Sequence, residues 1–489
     1  MAEYDLSKTG GDSTSIYTIF TSEGLQGECQ IFTAYHPDRP ILKNEEILAQ
    51  VKARCNGIEF RGSTEPVSGR DAFERVREEQ DIDGILIFGA PPDELISLGL
   101  PIVAVYPLWG QWMYPFSPKE GRVLTSFLPV IPDNDETVFS SRLDDIAGKI
   151  GLIACLSGLR GMRVLVITDM PVLGRYEPTS LQTGGDREAY EERYLKNLAD
   201  TLGMELVPLE QEALDRRMDS VPDEDAKEIT SEWIEGATGI KGTNEEEVVK
   251  SARLYLAMKS LMDEHDCRAI TTEGYTVFQY YKDGPIPSQG LPASQLYTDG
   301  VVATSETLID SLITQQLGLF LTGSTGFNGD YLIDPFHGVA IIGHCECPLN
   351  PYGGDERAPY VVRNLPLWEE NEGGACVQVD LPIGETVTVA KVSVYDRKMT
   401  IFTGRTVSGE ELFTGWDDIL CRTKVAIRTD AETLFQNLDW KTFGNHRVAF
   451  YGDHRREFMD LATLMGYEIV QDDGGSWDRI TEPETAGKQ

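Results

Sequence analysis

CVQVDLPIGETVTVAKVSVYDRKMTIFTGRTV, residues 376–407, alternates apolar and polar side chains with a period of two, broken by turn residues at Pro382–Gly384 and Asp396–Lys398. Alternate residues of a strand face opposite sides of a sheet, so the run predicts antiparallel strands with one buried face. With KVAIRT (424–429) it predicts a small antiparallel sheet or barrel. The chain before it reads differently. SIYTIFTS (15–22), CQIFTAY (29–35), GILIFGA (84–90) and IVAVY (102–106) are short buried-strand runs, and NEEILAQVKARC (44–55) and RDAFERVREEQ (70–80) carry helical spacing between them.

A second series starts at GMRVLVITDMP (161–171) and continues through RAITTE (268–273), GVVAT (300–304), LFLTG (319–323) and GVAIIGH (338–344). The stretch 209–247 is acidic and turn-rich, and Thr243 followed by Glu246 predicts a capping box for a helix through about Asp263. The tail returns to strand, helix and strand at RVAFYG (447–452), 453–465 and YEIVQ (467–471). Repeated β–α alternation predicts parallel sheets. The expected architecture is two doubly wound, Rossmann-like α/β domains followed by a β-rich, barrel-like domain, divided as 1–155, 156–350 and 351–489.

The formal charge of the 489-residue chain is −37. Nucleic acid and anionic membrane surfaces are recognised by clustered Lys and Arg, so both are excluded as expected partners. A salt-adapted source and an ordinary acidic cytosolic enzyme fit this acidity equally. MAEYDLSKTGGDST lacks the basic and apolar regions of a signal peptide, and no window approaches the roughly 18 apolar residues of a membrane span. Eight cysteines without a CxxC make no disulfide framework. A soluble, cytoplasmic protein with reduced thiols is expected. No GxGxxG, GxxxxGK[ST], HExxH or GxSxG occurs, so nucleotide-loop, zincin and serine-hydrolase chemistry lose support.

Chemistry must then come from scattered side chains. Of six histidines, His344 ends the apolar run VAIIG and His446 stands in FGNH before RVAF. A lone histidine at a strand end is ordinarily structural. Glu306 follows GVVAT in what reads as the first turn of TSETLIDSLITQQLG, where an acid suits the helix dipole. Asp330 follows LFLTG through the loop STGFNGD, where an aspartate is an ordinary turn residue. Together, two carboxylates beyond strand ends and two imidazoles make a mixed O/N donor set suited to Mn²⁺ or a similar divalent metal. In GHCECP (343–348), His344 and Glu346 face one side of an extended segment, while Cys345 and Cys347 face the other as packing residues. Glu273 and Gln279, with Tyr275, follow another strand end. Trp109 and Trp112 lie in the aromatic stretch YPLWGQWMYPF (106–116), which packs as core or interface or forms a sugar-stacking lid.

The stretch from about 267 to 350, with the segment around His446, resembles the L-fucose isomerase and L-arabinose isomerase family. ATSE with Glu306, FNGDY with Asp330, IIGHC with His344 and GNH with His446 carry the resemblance, and DHRREFMDLATLMGYEIV is similar to the family's closing helix and strand. The resemblance implies that Glu306, Asp330 and His446 ligate a divalent metal, usually manganese, and that His344 is a further ligand or site histidine. It implies an intramolecular oxidoreductase, an aldose–ketose isomerase acting on a 6-deoxyhexose, pentose or related hexose through a cis-enediol, with Glu306 and Asp330 as the acid–base pair. It also implies a homo-oligomer with the site near a subunit interface. The aspartate at 330 matches the fucose branch, whereas His344 matches the arabinose branch. Alternatives are a non-catalytic sugar-binding protein, a glycoside hydrolase using the two carboxylates, and an isomerase of a modified, for example sulfonated, hexose. Residues 283–356 contain neither Lys nor Arg, which favours a neutral sugar.

Overall fold

A computed structural model describes residues 14–22, 43–108, 121–129, 135–169, 187–273, 288–365, 374–419 and 421–475. CQIFTAY, Trp109, Trp112, Tyr275 and Gln279 lie outside the described residues. The protein is mixed α/β. Its chain divides into two compact units, Met1–Arg160 with Met459–Glu468, and Gly161–Phe458 with Ile469–Gln489. Among the described residues no helix is long and apolar enough to cross a membrane.

The first unit is built on β1 (Thr14–Thr21), β2 (Ile58–Val67), β3 (Gly84–Phe88), β4 (Ile102–Leu108) and β5 (Val123–Pro129). They form one parallel sheet in the order β2-β1-β3-β4-β5, the strand order of a doubly wound fold. A sheet covered on both faces needs continuous apolar strands, which is why GILIF (84–88) is buried along its whole length. Ile85, Ile87, Ile102 and Ala104 meet Ala72 and Val76 of the helix Gly69–Glu78.

The second unit runs β6 (Arg163–Ile167), β7 (Glu205–Leu209), β8 (Gly239–Lys241), β9 (Ala269–Thr272), β10 (Val302–Ser305), β11 (Phe327–Asp334), β12 (Val339–His344), β13 (Tyr360–Arg363), β14 (Cys376–Val379), β15 (Thr386–Ser393), β16 (Lys398–Val407), β17 (Thr423–Arg428) and β18 (His446–Tyr451). Strands β10-β9-β6-β7 form a second parallel sheet. Strands β15-β18-β11-β12-β17-β16 are antiparallel neighbours, and β16 pairs back onto β15, so the six close into a ring. The period-two run at 376–407 therefore supplies two barrel staves, β15 and β16, joined by a turn with Arg397 in the left-handed region (φ 53). Its first strand, β14, pairs instead with β13 in a three-stranded sheet with β8. Two staves, β11 and β12, precede residue 350.

Three local expectations are corrected. LFLTG (319–323) is not a strand: it is the last turn and C-cap of the helix Ile309–Thr322, closed by Gly323 at φ 77. That helix is buried from Ile309 to Leu321, so its apolar run has no polar face to betray the helical period. Its polar residues find partners, with Asp310 accepting from the Tyr194 hydroxyl (2.6 Å) and Gln315 donating to the Gly326 carbonyl (3.2 Å). FNGD is not a loop but the start of β11, and Gly329 is needed there because a Cβ would stand 2.7 Å from the Gly343 carbonyl oxygen. The helix Glu245–Glu264 is capped by Asn244, which accepts from the Glu247 amide, while the Thr243 hydroxyl donates to the Gly374 carbonyl.

Candidate metal centre

Glu306 and Glu273 each follow the last residue of a strand in the second parallel sheet, where Ser305 and Thr272 are register partners. These are the carboxyl ends at which open α/β sheets hold ligands. Glu273 accepts a hydrogen bond from the Thr168 hydroxyl at the end of the neighbouring β6. Glu306 is not in a helical first turn. It has φ 63, Thr307 has φ 51, and the helix begins only at Ile309. Two consecutive left-handed residues without glycine, one of them β-branched, are strained by roughly 1–3 kcal/mol each. The fold fastens them on both sides: the Ser305 amide and hydroxyl donate to Glu346 Oε1 at 3.2 and 3.0 Å, and the Thr307 amide donates to the Thr272 carbonyl at 3.1 Å. The strain is concentrated at the residue whose carboxylate faces the site.

The other three predicted residues come from the rim of the barrel. Asp330 lies within β11, directly opposite His446 at the start of β18 and opposite Gly343 of β12. Directly opposed residues of antiparallel strands project on one face, so pairing alone sets Asp330 beside His446. His344 ends β12, and its ring centroid lies 5.5 Å from that of His446. His446 Nε2 is 3.9 Å from Glu306 Oε2 and 3.8 Å from Asp330 Oδ1. Both gaps are too wide for a hydrogen bond. His446 Nε2 is nevertheless buried without a hydrogen-bond partner, and so is His344 Nδ1, 3.6 Å from Glu346 Oε1. By contrast, His337 Nδ1 is bonded to Asp334 at 2.6 Å and His454 Nε2 to the Tyr451 carbonyl at 3.0 Å.

Asn445 and Glu346 were not singled out from sequence as site residues. The Asn445 amide donates to Asp330 Oδ1 at 2.9 Å, and its oxygen lies 2.9 Å from His446 Nδ1. The alternation of GHCECP does place Glu346 beside His344, while Cys345 turns toward the thiols of Cys376 and Cys421. In FGNH the available signal for Asn445 was its place next to His446.

Charge is out of balance here. Burial, then the Asp330 and Glu346 charges, push the Glu306 carboxyl up to about 8. Burial raises Asp330 to about 6 and Glu346 to about 7. It lowers His344 to about 4 and holds His446 well below the usual imidazole value. Burial is the leading cause for all three, and only at Glu306 do neighbouring carboxylate charges add to it. The fully buried Lys391 and Arg447 bear on His446, but Lys391 donates to Ser311 (2.7 Å) and Arg447 to the carbonyls of Phe443, Gly444 and His446.

These residues fit a divalent cation. A divalent cation would be held by Glu306, Asp330 and His446, with His344 adjacent, and would supply the orphaned His446 nitrogen with a partner and the carboxylates with a counter-charge. Among the described residues no group of three or more His, Cys, Asp or Glu stands close enough together to hold a metal ion as placed. A separate cavity of about 560 Å³ in the same unit, lined by residues such as Gln378, Asp380, Trp416 and Lys424, contains none of these donors.

The chain matches no family model and no curated protein sequence.

The pH response of the metal-free protein follows from the shifts. A carboxyl raised in the folded state adds stability that is complete below its unfolded value near 4.5 and lost as pH rises through the folded value. For Glu346 and Glu306 that loss extends to about 7 and 8. His344, lowered to about 4, acts in the opposite sense, but only below its ordinary value of 6.5. Chelator-treated protein is expected to lose roughly 1–2 kcal/mol of unfolding free energy between pH 6.5 and 8. Urea titrations at the two pH values measure this, and Mn²⁺ is expected to abolish the loss.

Proposed function

We propose that the chain is a divalent-cation-dependent aldose–ketose isomerase acting on a neutral monosaccharide, similar in its site to the L-fucose and L-arabinose isomerase family. One observation carries the reading: a buried imidazole nitrogen without a hydrogen-bond partner, held 3.8 and 3.9 Å from two carboxylates whose ionisation burial opposes. Glu306, Asp330 and His446 would hold the cation, with His344 beside them. When bound, a divalent cation supplies Lewis acidity toward the carbonyl and adjacent hydroxyl of an open-chain sugar.

The remaining chemistry falls to the chain's own carboxylates. One of Glu306 and Asp330 takes the proton from C2 of the aldose and returns it to C1, giving the ketose through a cis-enediol. The other passes a proton between the two oxygens. Atoms balance without a redox cofactor, because the oxidation of C2 is matched by the reduction of C1. A neutral substrate is supported by the engagement of Lys391 and Arg447 in internal hydrogen bonds and by the absence of Lys and Arg from 283–356. A glycoside hydrolase pair needs no imidazole, so the orphaned His446 nitrogen favours isomerisation. Incubating the Mn²⁺ form with pentoses, 6-deoxyhexoses and modified hexoses, with NMR detection of ketose, tests the proposal. No conversion of any member would count against it.

A further inference from the structure

The four candidate donors are not held independently. Asn445 touches two of them. A carboxylate can only accept, so the Asn445 amide nitrogen faces Asp330 Oδ1 (2.9 Å) and its oxygen must face His446 Nδ1 (2.9 Å). That oxygen can only accept, which puts the imidazole proton on Nδ1 and the free lone pair on Nε2, the nitrogen between the two carboxylates. The Asn445 carbonyl also accepts from the Tyr331 amide at 2.7 Å, tying it to the strand that carries Asp330.

Glu346 serves the other two. It is 2 % exposed, and its Oε1 accepts both the amide and the hydroxyl of Ser305, the residue before the left-handed pair Glu306–Thr307. The same oxygen is 3.6 Å from His344 Nδ1, which has no other partner. At that distance the ring faces the Glu346 carboxylate without a hydrogen bond.

We propose that Asn445 and Glu346 are paired positioning residues: Asn445 orients Asp330 and His446, and Glu346 fixes the Glu306 corner and orients His344. This rests on the metal-centre reading above. Hydrogen-bonded partners of metal ligands set ring orientation and tautomer, and their loss typically weakens metal binding by about 10–100-fold.

The test is Mn²⁺ titration of the full chain, with free Mn²⁺ followed by electron paramagnetic resonance and folding by circular dichroism. Asn445→Ala and Glu346→Ala are expected to weaken binding about 10–100-fold, whereas Glu346→Gln, whose amide oxygen still accepts from Ser305 and still faces His344, stays within about threefold of wild type. Nitrogen-15 spectra of histidine-labelled, metal-free wild type are expected to show His446 as the Nδ1–H tautomer. That measurement needs no substitution. Alanine variants that bind as tightly as wild type, a Gln variant as weak as Glu346→Ala, or a wild-type His446 protonated on Nε2 would each overturn the pairing. Wild type that binds no Mn²⁺ would instead bring down the metal-centre reading, and the pairing with it.

Discussion

His446→Ala is expected to weaken Mn²⁺ binding by at least about 100-fold, more than the loss of an outer partner, and to remove isomerisation with it. The imidazole nitrogen lies within 4 Å of both carboxylates. Without it, Glu306 and Asp330 face each other across a gap with no nitrogen lone pair. The fold should survive the change. The β18 pairing with β11 and β15 runs through backbone atoms, and the described hydrogen bond of the ring is to Asn445. Calorimetric Mn²⁺ titration beside a urea unfolding curve separates the effects: lost affinity with a preserved transition supports a ligand role. Undiminished affinity would assign His446 to packing.

Glu306→Gln is expected to lower kcat for aldose–ketose conversion by about 10²–10⁴-fold, the usual contribution of a general acid or base. The substitution is nearly isosteric, so the left-handed backbone at 306 and its fastening through Ser305 and Thr307 are retained. What disappears is a carboxylate able to exchange a proton. Asp330→Asn is expected to fall in the same range, and loss of deuterium exchange at C2 in one variant would name the residue that handles the carbon-bound proton. A Glu306→Gln variant of full activity would rule out both acid–base and ligand roles for the side chain.

The β–α alternation and the period-two run at 376–407 made the parallel sheets and antiparallel staves legible, because each leaves its period in the apolar pattern. Two segments were misread for a common physical reason. LFLTG belongs to a helix buried on all sides, and FNGD to a strand pressed so close to its neighbour that only glycine fits at 329; neither shows the usual polar face. Glu306, His344 and His446 were visible as strand-end polar residues, whereas Asp330 was expected beyond a strand at LFLTG that is helical and instead lies within β11; the four come together within one unit. The left-handed corner at Glu306–Thr307 was not visible. Neither residue type announces positive φ, and the strain is held by Glu346, forty residues further along the chain. Asn445 escaped because its role appears only when β18 is laid against β11.

The central claim is that Glu306, Asp330 and His446 form a divalent-cation centre that isomerises sugars. Protein stripped with a strong chelator and then titrated with Mn²⁺ should regain aldose–ketose conversion in step with occupancy of one high-affinity site, a site absent from His446→Ala. Conversion at full rate by the stripped protein, or Mn²⁺ occupancy unaffected by His446→Ala, would contradict it.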